Sequence, residues 1–310
     1  MMAFLFPGQG SQQPGMLGVE GLCRETLTAA GQFLASRADL PGMADLDTAA
    51  GLTDTRNAQL ALLITSTAAA QALTRNMCVP GPDAVAGHSV GAFAAAVVAG
   101  ALTFAEALDA VALRAAAMKR VCAQGRWGMA AVFGVDSRTA AELAGQVGSD
   151  EDPLWVANIN SRRQVVFSGT AKALHELVSA AERLGASRVE PLAVAVASHG
   201  PLQAPVRDAL AAHLASVPPR PLRSAYLTNT SGRRVQTSHE VLADLAESVA
   251  QPVQWRTIAE ILPELGIPSA VEMPPGHALT RLTDGPGIHV VAAADIRLPA
   301  TAYRLRRPSN

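Results

Sequence analysis

The sequence predicts an α/β protein in which a large domain built on a parallel sheet carries a small inserted α+β domain. The first observation is a short apolar run at 84–86 that leads through a G-x-S-x-G turn into the apolar segment 90–102. The second is the order of predicted elements between 127 and 192, which is strand, helix, strand, strand, helix, strand. The third is size, because 310 residues suffice for one large or two modest domains with ample core.

Composition excludes several classes of function. The net charge of −1 implies no strong field for nucleic acid or an anionic membrane surface. No apolar run reaches the roughly 18 residues of a membrane span, and the first residues lack the basic stretch of a signal peptide. Cys23, Cys78 and Cys122 are far apart and form neither a metal pattern nor an even disulfide set. We therefore expect a soluble protein of the reducing cytoplasm without a bound metal.

The chain opens with a predicted buried strand at 2–6 and a glycine-rich loop at 7–12. This loop lacks the third glycine and the Lys-Ser or Lys-Thr of phosphate-binding loops, so it more simply brings Gln9 close to another group. A helix is predicted at 54–77, and its apolar stripe is most simply core.

The strand, turn and helix at 84–102 predict a nucleophile elbow, the sharp turn that exposes a catalytic serine in α/β-hydrolase-like folds. Gly87 and Gly91 leave room for this turn, because a side chain there would collide with the neighbouring strand or helix. Ser89 is then the candidate nucleophile. The N–H of Val90 lies at the start of the helix, where an unpaired donor can bind an oxyanion. The alternative is a chance match of two glycines around a serine.

The next predicted helix spans 104–122, with Thr103 as its N-cap. Arg114 lies in its most apolar stretch, at 110–118, where a buried guanidinium is costly unless it is paired. One interpretation is a surface arginine whose head group reaches water. The other is a guanidinium that binds a substrate carboxylate in bidentate fashion.

The composition changes near residue 125, and the unit that follows is predicted to be ferredoxin-like from its βαββαβ order. Its predicted strands lie at 127–135, 153–160, 164–169 and 187–192, and its helices at 137–146 and 171–184. We expect an inserted domain at 125–192 and a catalytic domain made of 1–124 and 193–310.

The last third of the chain supplies His199, which follows the apolar run 193–197 and precedes a predicted helix at 201–215. A single histidine in this setting is either structural or catalytic, and the local pattern leaves both open. Further strands are predicted at 225–230, 270–273 and 288–293, and further helices at 239–249 and 278–282.

Five motifs in this order resemble the malonyl-CoA:acyl carrier protein transacylase family, which includes acyltransferase domains of fatty acid and polyketide synthases. They are the segments 6–12 and 87–91, Asn158-Ile159-Asn160 with 164–169, Ser198-His199, and Gln251-Pro252-Val253-Gln254-Trp255. Arg114 also lies 25 positions after Ser89, as the carboxylate-binding arginine of the family does.

The resemblance implies an acyltransferase that moves malonyl from malonyl-CoA to the pantetheine-type thiol of an acyl carrier protein, without a cofactor. It implies Ser89 and His199 as catalytic residues, and the N–H groups of Gln9 and Val90 as the oxyanion hole. It implies Arg114 and Asn160 as substrate-binding residues. The carbonyl that orients the histidine in the family corresponds to that of Ser248.

The chain departs from the family after the elbow, where Ala92-Phe93 stands in place of the usual glutamate. The version Gly-His-Ser-Val-Gly-Ala-Phe is similar to the transacylase subunit of malonate decarboxylase. That resemblance implies other malonate decarboxylase subunits as partners and leaves open whether the thiol belongs to an ordinary phosphopantetheine.

Two other functions remain open on the residues alone. The same elbow serves esterases and thioesterases of the α/β-hydrolase type, in which Asp208 or Glu272 would orient the histidine. A docking module for carrier proteins without catalysis is the second. The exposed-looking arginines Arg162, Arg163, Arg233 and Arg234 could meet an acidic carrier, although solvated surface arginines are the simpler interpretation.

Overall fold

The computed structural model describes residues 1–75 and 81–295 of the chain. Within these ranges the secondary structure forms two separate sheets. The strands are β1 Met2–Phe6, β2 Ala84–Gly87, β3 Trp127–Phe133, β4 Leu154–Ser161, β5 Gln164–Thr170, β6 Arg188–Pro191, β7 Pro221–Leu227, β8 Arg234–Thr237, β9 Ser269–Glu272 and β10 His289–Ala292. The helices are α1 Arg24–Ala35, α2 Met43–Leu46, α3 Thr55–Arg75, α4 Gly91–Ala99, α5 Phe104–Val121, α6 Ser137–Val147, α7 Ala171–Arg183, α8 Ala204–Leu214, α9 Ser238–Glu247, α10 Trp255–Glu264 and α11 Ala278–Thr283.

The larger sheet has six strands in the order β10-β9-β1-β2-β7-β8. The first five are parallel, as predicted, whereas the edge strand β8 runs antiparallel to β7. Strand β8 was not predicted, because its four residues, Arg-Val-Gln-Thr, alternate too briefly to be distinguished from a turn. Helix α10, which begins at Trp255, was not predicted either.

Alternating side chains of the central strand β1 pack on opposite faces of this sheet. Phe4 and Phe6 join a core with α3, α4, α5, α8 and α9, whereas Ala3 and Leu5 face α10 and α11. Helices therefore cover both faces, which explains why the central strands are apolar throughout.

The smaller sheet is antiparallel and has the order β4-β5-β3-β6. Helices α6 and α7 pack against one face of it through residues such as Leu143, Phe167 and Leu177. This arrangement is the predicted ferredoxin-like α+β unit. Its strands all lie between Trp127 and Pro191, and we propose 125–192 as the inserted domain, with 1–124 and 193–310 forming the catalytic domain.

A short parallel bridge joins β4 of the small sheet to Val253, which lies between α9 and α10. The N–H of Val253 donates to the carbonyl of Ala157, and the N–H of Ile159 donates to the carbonyl of Val253. The next residue, Gln254, donates its N–H to the carbonyl of Asn229, which lies two residues after the end of β7.

The cysteines and the longest helices bear on the predicted class of protein. Cys23 and Cys122 are buried free thiols, while Cys78 lies outside the described residues. Within the described ranges, no helix combines the length and the apolar composition needed to cross a membrane.

Candidate active site

The predicted elbow lies between β2 and α4, at the carboxyl edge of the large sheet. Ser89 has a backbone φ of 53°, a left-handed conformation that costs a non-glycine residue on the order of 1–3 kcal/mol. A Cβ at Gly87 would collide with the backbone of Gly91, and one at Gly91 would collide with the carbonyl of Phe6. The two glycines are therefore needed by close backbone packing around the strained serine.

His199 lies next to this serine, although 110 positions separate the two residues in the chain. Its Nε2 is 2.8 Å from Ser89 Oγ, and its Nδ1 is 2.6 Å from the carbonyl oxygen of Ser248. A carbonyl only accepts, so Nδ1 carries the proton and Nε2 is free to accept one from Ser89. This places the imidazole in the tautomer that a general base requires.

The environment of His199 strongly favours the neutral imidazole. The side chain is 2% exposed, and burial, followed by the positive charge of Arg114, lowers the pKa of His199 to about 3. The histidine is therefore unprotonated at neutral pH and able to take the serine proton.

Arg114 is buried as well, and its guanidinium also contacts the hydroxyl of Ser89. Its Nη2 donates to Ser89 Oγ at 3.1 Å, and its Nη1 donates to Gln59 Oε1 at 2.6 Å. Burial lowers the pKa of Arg114 to about 10, so the group stays charged at neutral pH. Because Arg114 is buried, the interpretation of Arg114 as a surface arginine is wrong. Within the ranges 1–75 and 81–295 its guanidinium forms no ion pair with an acidic side chain.

Gln59 on α3 is a site residue that the sequence analysis missed. It is 1% exposed, and besides accepting from Arg114 its Nε2 donates to Gln9 Oε1 at 3.3 Å. The sequence carries no clear signal for it, because Gln59 follows the polar residues at 55–57 and only the fold shows that its amide is buried and needs polar partners.

The amides predicted to form an oxyanion hole follow β1 and β2, which are neighbours in the sheet. Phe6 is paired with Gly87, so the loop holding Gln9 and the elbow holding Val90 lie at the same edge. Neither of these two N–H groups has an acceptor among the described residues. Two unpaired amides beside a nucleophile can stabilise a tetrahedral oxyanion.

Asn160 does not contact the serine. Its Oδ1 lies 3.0 Å from Nε2 of His88, the residue before the nucleophile, and the Nδ2 of Asn158 lies 3.3 Å from the same nitrogen. Burial lowers the pKa of His88 and keeps its ring neutral. The two asparagines thus join β4 of the small sheet to the elbow, and substrate binding by Asn160 stays a prediction.

Neither acidic residue considered for an esterase lies at the histidine. Asp208 is exposed and pairs with Arg207, while the carboxylate of Glu272 accepts from the N–H groups of Leu279 and Thr280 at the start of α11. The imidazole is oriented by a main-chain carbonyl instead.

Asn229, a second residue that was not predicted, holds the backbone of the elbow with its side-chain amide. It is fully buried, its Oδ1 accepts from the N–H of Ser89 at 2.9 Å, and its Nδ2 donates to the carbonyl of Gly87 at 2.8 Å. Asn229 lies near the end of the strand predicted at 225–230, within Asn-Thr-Ser-Gly, a sequence typical of turns, and nothing local indicates its partners.

The side chains form one continuous series of donors, from Arg114 to Ser89, from Ser89 to His199, and from His199 to the carbonyl of Ser248. Such a series activates a serine for attack on an acyl carbonyl. The buried cation beside the hydroxyl also suits an acyl group that carries its own negative charge.

Comparisons with known proteins give the family of the chain. The chain matches the model of the acyl transferase domain over residues 3–294. It is 33% identical over 290 residues to the malonyl CoA-acyl carrier protein transacylase of Salmonella typhimurium, covering 91% of each chain.

Solved structures are similar over nearly the whole length. The acyl-carrier-protein S-malonyltransferase of Burkholderia pseudomallei superposes with a TM-score of 0.88 at 30% identity, covering 99% of both chains. A malonyl-transacylase in complex with a type II polyketide synthase acyl-carrier protein gives a TM-score of 0.87 at 27% identity, covering 98% of both. With a family model that spans almost the entire chain and relatives of this similarity, the protein belongs to the acyl transferase domain family.

Proposed function

We propose that this protein moves malonyl from malonyl-CoA to the pantetheine thiol of an acyl carrier protein, through a malonyl ester on Ser89. The observation that carries the proposal is the buried Arg114 guanidinium, which lies 3.1 Å from Ser89 Oγ and forms no ion pair with an acidic side chain of the described residues. An acyl group bearing a free carboxylate supplies the missing anion. The relatives named as malonyl transacylases support the same choice of substrate.

In the first half-reaction, His199 Nε2 takes the proton of Ser89 Oγ while that oxygen attacks the thioester carbonyl. The carbonyl oxygen becomes an oxyanion that the N–H groups of Gln9 and Val90 stabilise. Loss of one such donor typically costs about 3 kcal/mol of transition-state stabilisation. When the carbon–sulfur bond breaks, the leaving CoA sulfur takes the proton from His199.

In the second half-reaction, the carrier thiol occupies the position that CoA has left. His199 takes the thiol proton, the sulfur attacks the malonyl ester, and the carbon–oxygen bond to Ser89 breaks. The proton then returns to Ser89 Oγ, which restores the enzyme. Each step uses one base and one oxyanion hole, so no metal or cofactor is required.

Arg114 gives selectivity in this scheme because it binds the distal carboxylate of malonate. An acetyl group would leave the guanidinium buried and unpaired, which is unfavourable by several kcal/mol. The Gln59 amide orients the guanidinium without neutralising it, so the positive charge remains available to the substrate.

A hydrolase shares the elbow but requires water at the acyl-enzyme. To separate the two functions, the protein is incubated with malonyl-CoA and a carrier protein in its pantetheine form. We expect mass spectrometry to show a malonyl adduct on Ser89 and then a malonyl thioester on the carrier. Free malonate as the main product would indicate a hydrolase, and the absence of any adduct would indicate a docking module.

The carrier is the next choice to test. The glutamate missing after the elbow favours, by resemblance, the carrier of malonate decarboxylase, whereas the relatives named above act on acyl carrier protein. We propose acyl carrier protein as the primary acceptor and the cytoplasm as the location. Parallel rates with both purified carriers decide between them, since a preference of tenfold or more for the decarboxylase carrier would overturn this choice.

A further inference from the structure

The two residues at the centre of the site share an unusual backbone conformation. Among the non-glycine residues that the structure describes, only Ser89 and His199 have a positive φ, at 53° and 62°. L-residues rarely hold this conformation unless the surrounding structure enforces it. The surrounding structure must therefore stabilise this conformation at both residues. The hydrogen bonds that do so lead from each residue to helix α9.

His199 is held by the two residues that follow α9. Its N–H donates to the carbonyl of Val249 at 2.9 Å, and its Nδ1 lies 2.6 Å from the carbonyl of Ser248. The N–H of Ser248 in turn donates to the carbonyl of Asp244 at 2.9 Å, which is one turn earlier in the helix.

Ser89 is held through Asn229, whose amide bonds both sides of the elbow, at Gly87 and at Ser89 itself. Asn229 is held in turn by Asp244, because its N–H donates to Asp244 Oδ2 at 2.9 Å. The neighbouring Thr230 donates its N–H and its hydroxyl to Asp244 Oδ1 at 3.0 and 2.8 Å.

Asp244 is only 4% exposed and takes no part in the donor series from Arg114 to Ser248. Its carboxylate accepts from Asn229, Thr230 and the hydroxyl of Tyr226, and it forms no ion pair within the described ranges. A buried carboxylate without a cation is expensive, so its position requires the donors that surround it.

We propose that the last turn of α9 sets the separation of Ser89 from His199, with Asn229 as the positioning residue of the nucleophile and Asp244 as its anchor. Asp244 and Ser248 are one helical turn apart, so one rigid element determines where both reacting groups stand. This inference rests on the proposed role of Ser89 as a nucleophile. It adds an element on which the precision of the Ser–His pair depends.

The test measures the reactivity of Ser89 without using malonyl-CoA. Phenylmethanesulfonyl fluoride forms a sulfonyl ester with the serine oxygen, with fluoride as the leaving group and His199 taking the proton. We expect Asn229→Ala to lower the second-order rate constant of this reaction roughly 100-fold, since a misplacement of about 1 Å has effects of that size. The fraction of protein labelled at completion should stay above nine tenths.

The anchor is tested with Asp244→Asn, alone and combined with Asn229→Ala. If Asp244 acts through Asn229, the double variant reacts no more slowly than Asn229→Ala by itself, because coupled residues are not additive. Glu240→Ala is the matched control, because it removes the capping contacts with Thr237 at the other end of α9 and the Glu240 side chain makes no hydrogen bond to Asp244 or Asn229. It should lower the melting temperature and leave the rate constant within twofold.

Three results would overturn the inference. One is a rate constant for Asn229→Ala within threefold of the parent, and another is a loss confined to the labelled fraction, since either makes Asn229 merely structural. Fully multiplicative losses in the double variant would remove Asp244 from the role. If the parent is sulfonylated but forms no malonyl adduct, the proposed function fails while this inference is still tested.

Discussion

The two sides of Ser89 are built in different ways. On the side of His199, the contacts that orient the histidine are made by main-chain carbonyls, those of Ser248 and Val249. On the side of Arg114, the contacts join side chains of two helices, with Gln59 on α3 and Arg114 on α5.

The difference separates chemistry from recognition. The carbonyls that hold His199 do not depend on which side chains stand at 248 and 249, whereas the elbow itself depends on the Asn229 amide. Side-chain contacts between helices can be altered by one substitution, so selectivity for the acyl group can change without loss of the Ser–His pair. The following predictions test this separation, beginning with the largest expected effect.

Removing the hydroxyl of Ser89, the proposed nucleophile, should abolish transfer from malonyl-CoA and from acetyl-CoA alike. We expect Ser89→Ala to lower the rate of transfer by at least about 10⁴-fold for malonyl-CoA and acetyl-CoA. Ser198→Ala, which removes the buried hydroxyl beside His199, is the matched control and should retain activity. Stopped-flow release of CoA measures both variants, and a substantial residual burst in Ser89→Ala would remove the serine from the reaction.

Removing the guanidinium of Arg114 should lower the rate of transfer from malonyl-CoA but not that from acetyl-CoA. We expect Arg114→Ala to lower kcat/KM for malonyl-CoA by about 100-fold or more, while acetyl-CoA transfer persists or rises, because no buried charge is then left unpaired. The exposed Arg120 on the same helix provides the control variant Arg120→Ala. Equal losses with both donors would refute the recognition role.

Replacing the amide beside Arg114 by a carboxylate should give a smaller change of the same kind. Gln59→Glu places an anion on Nη1, so the guanidinium is paired before substrate arrives. We expect kcat/KM for malonyl-CoA to fall about tenfold, with a smaller change for acetyl-CoA. Gln71→Glu on the same helix, at a site that bonds Thr26, is the control. An unchanged donor ratio in Gln59→Glu would contradict the prediction.

The smallest expected effect is on pH dependence. Burial and the charge of Arg114 lower the pKa of His199 to about 3, so acylation should be nearly independent of pH between 5 and 8. Arg114→Ala removes the second cause, so the acid limb of the sulfonylation rate should move to higher pH. An identical acid limb in both proteins would show that the charge does not act on the imidazole.

The same pKa bears on stability. Unfolded His199 binds a proton below its ordinary pKa of 6.5, and the folded protein rejects that proton down to about pH 3. The unfolded chain therefore binds more protons in this window, and the contribution of His199 to the free energy of unfolding is lost as the pH falls from 6.5 towards 3.

Local pattern alone was sufficient for the elbow. Gly87, Ser89 and Gly91 carry the geometry of a tight turn within five positions, and strand β2 and helix α4 flank them as predicted. The βαββαβ order of the small unit could also be predicted from local pattern, because the spacing of apolar residues differs between its helices and its strands.

His199 and Arg114 were assigned by resemblance rather than by their surroundings in the chain. From the local sequence alone, His199 could have been a structural histidine and Arg114 a surface arginine. The fold places both within hydrogen-bonding distance of Ser89. Gln59 and Asn229 were missed altogether, because a glutamine in a helix and an asparagine in a turn are ordinary in sequence.

By itself, then, the sequence determined the elements whose signal is local: the alternation of strands and helices, the glycine turn at Ser89 and the apolar strands of the large sheet. Only the tertiary structure decided which groups face the serine oxygen. The physical reason is that the parallel strands bring together loops from residues far apart in the chain, at one edge of one sheet. Contacts of that kind depend on burial and backbone geometry, and neither can be recognised from the residues that are adjacent in sequence.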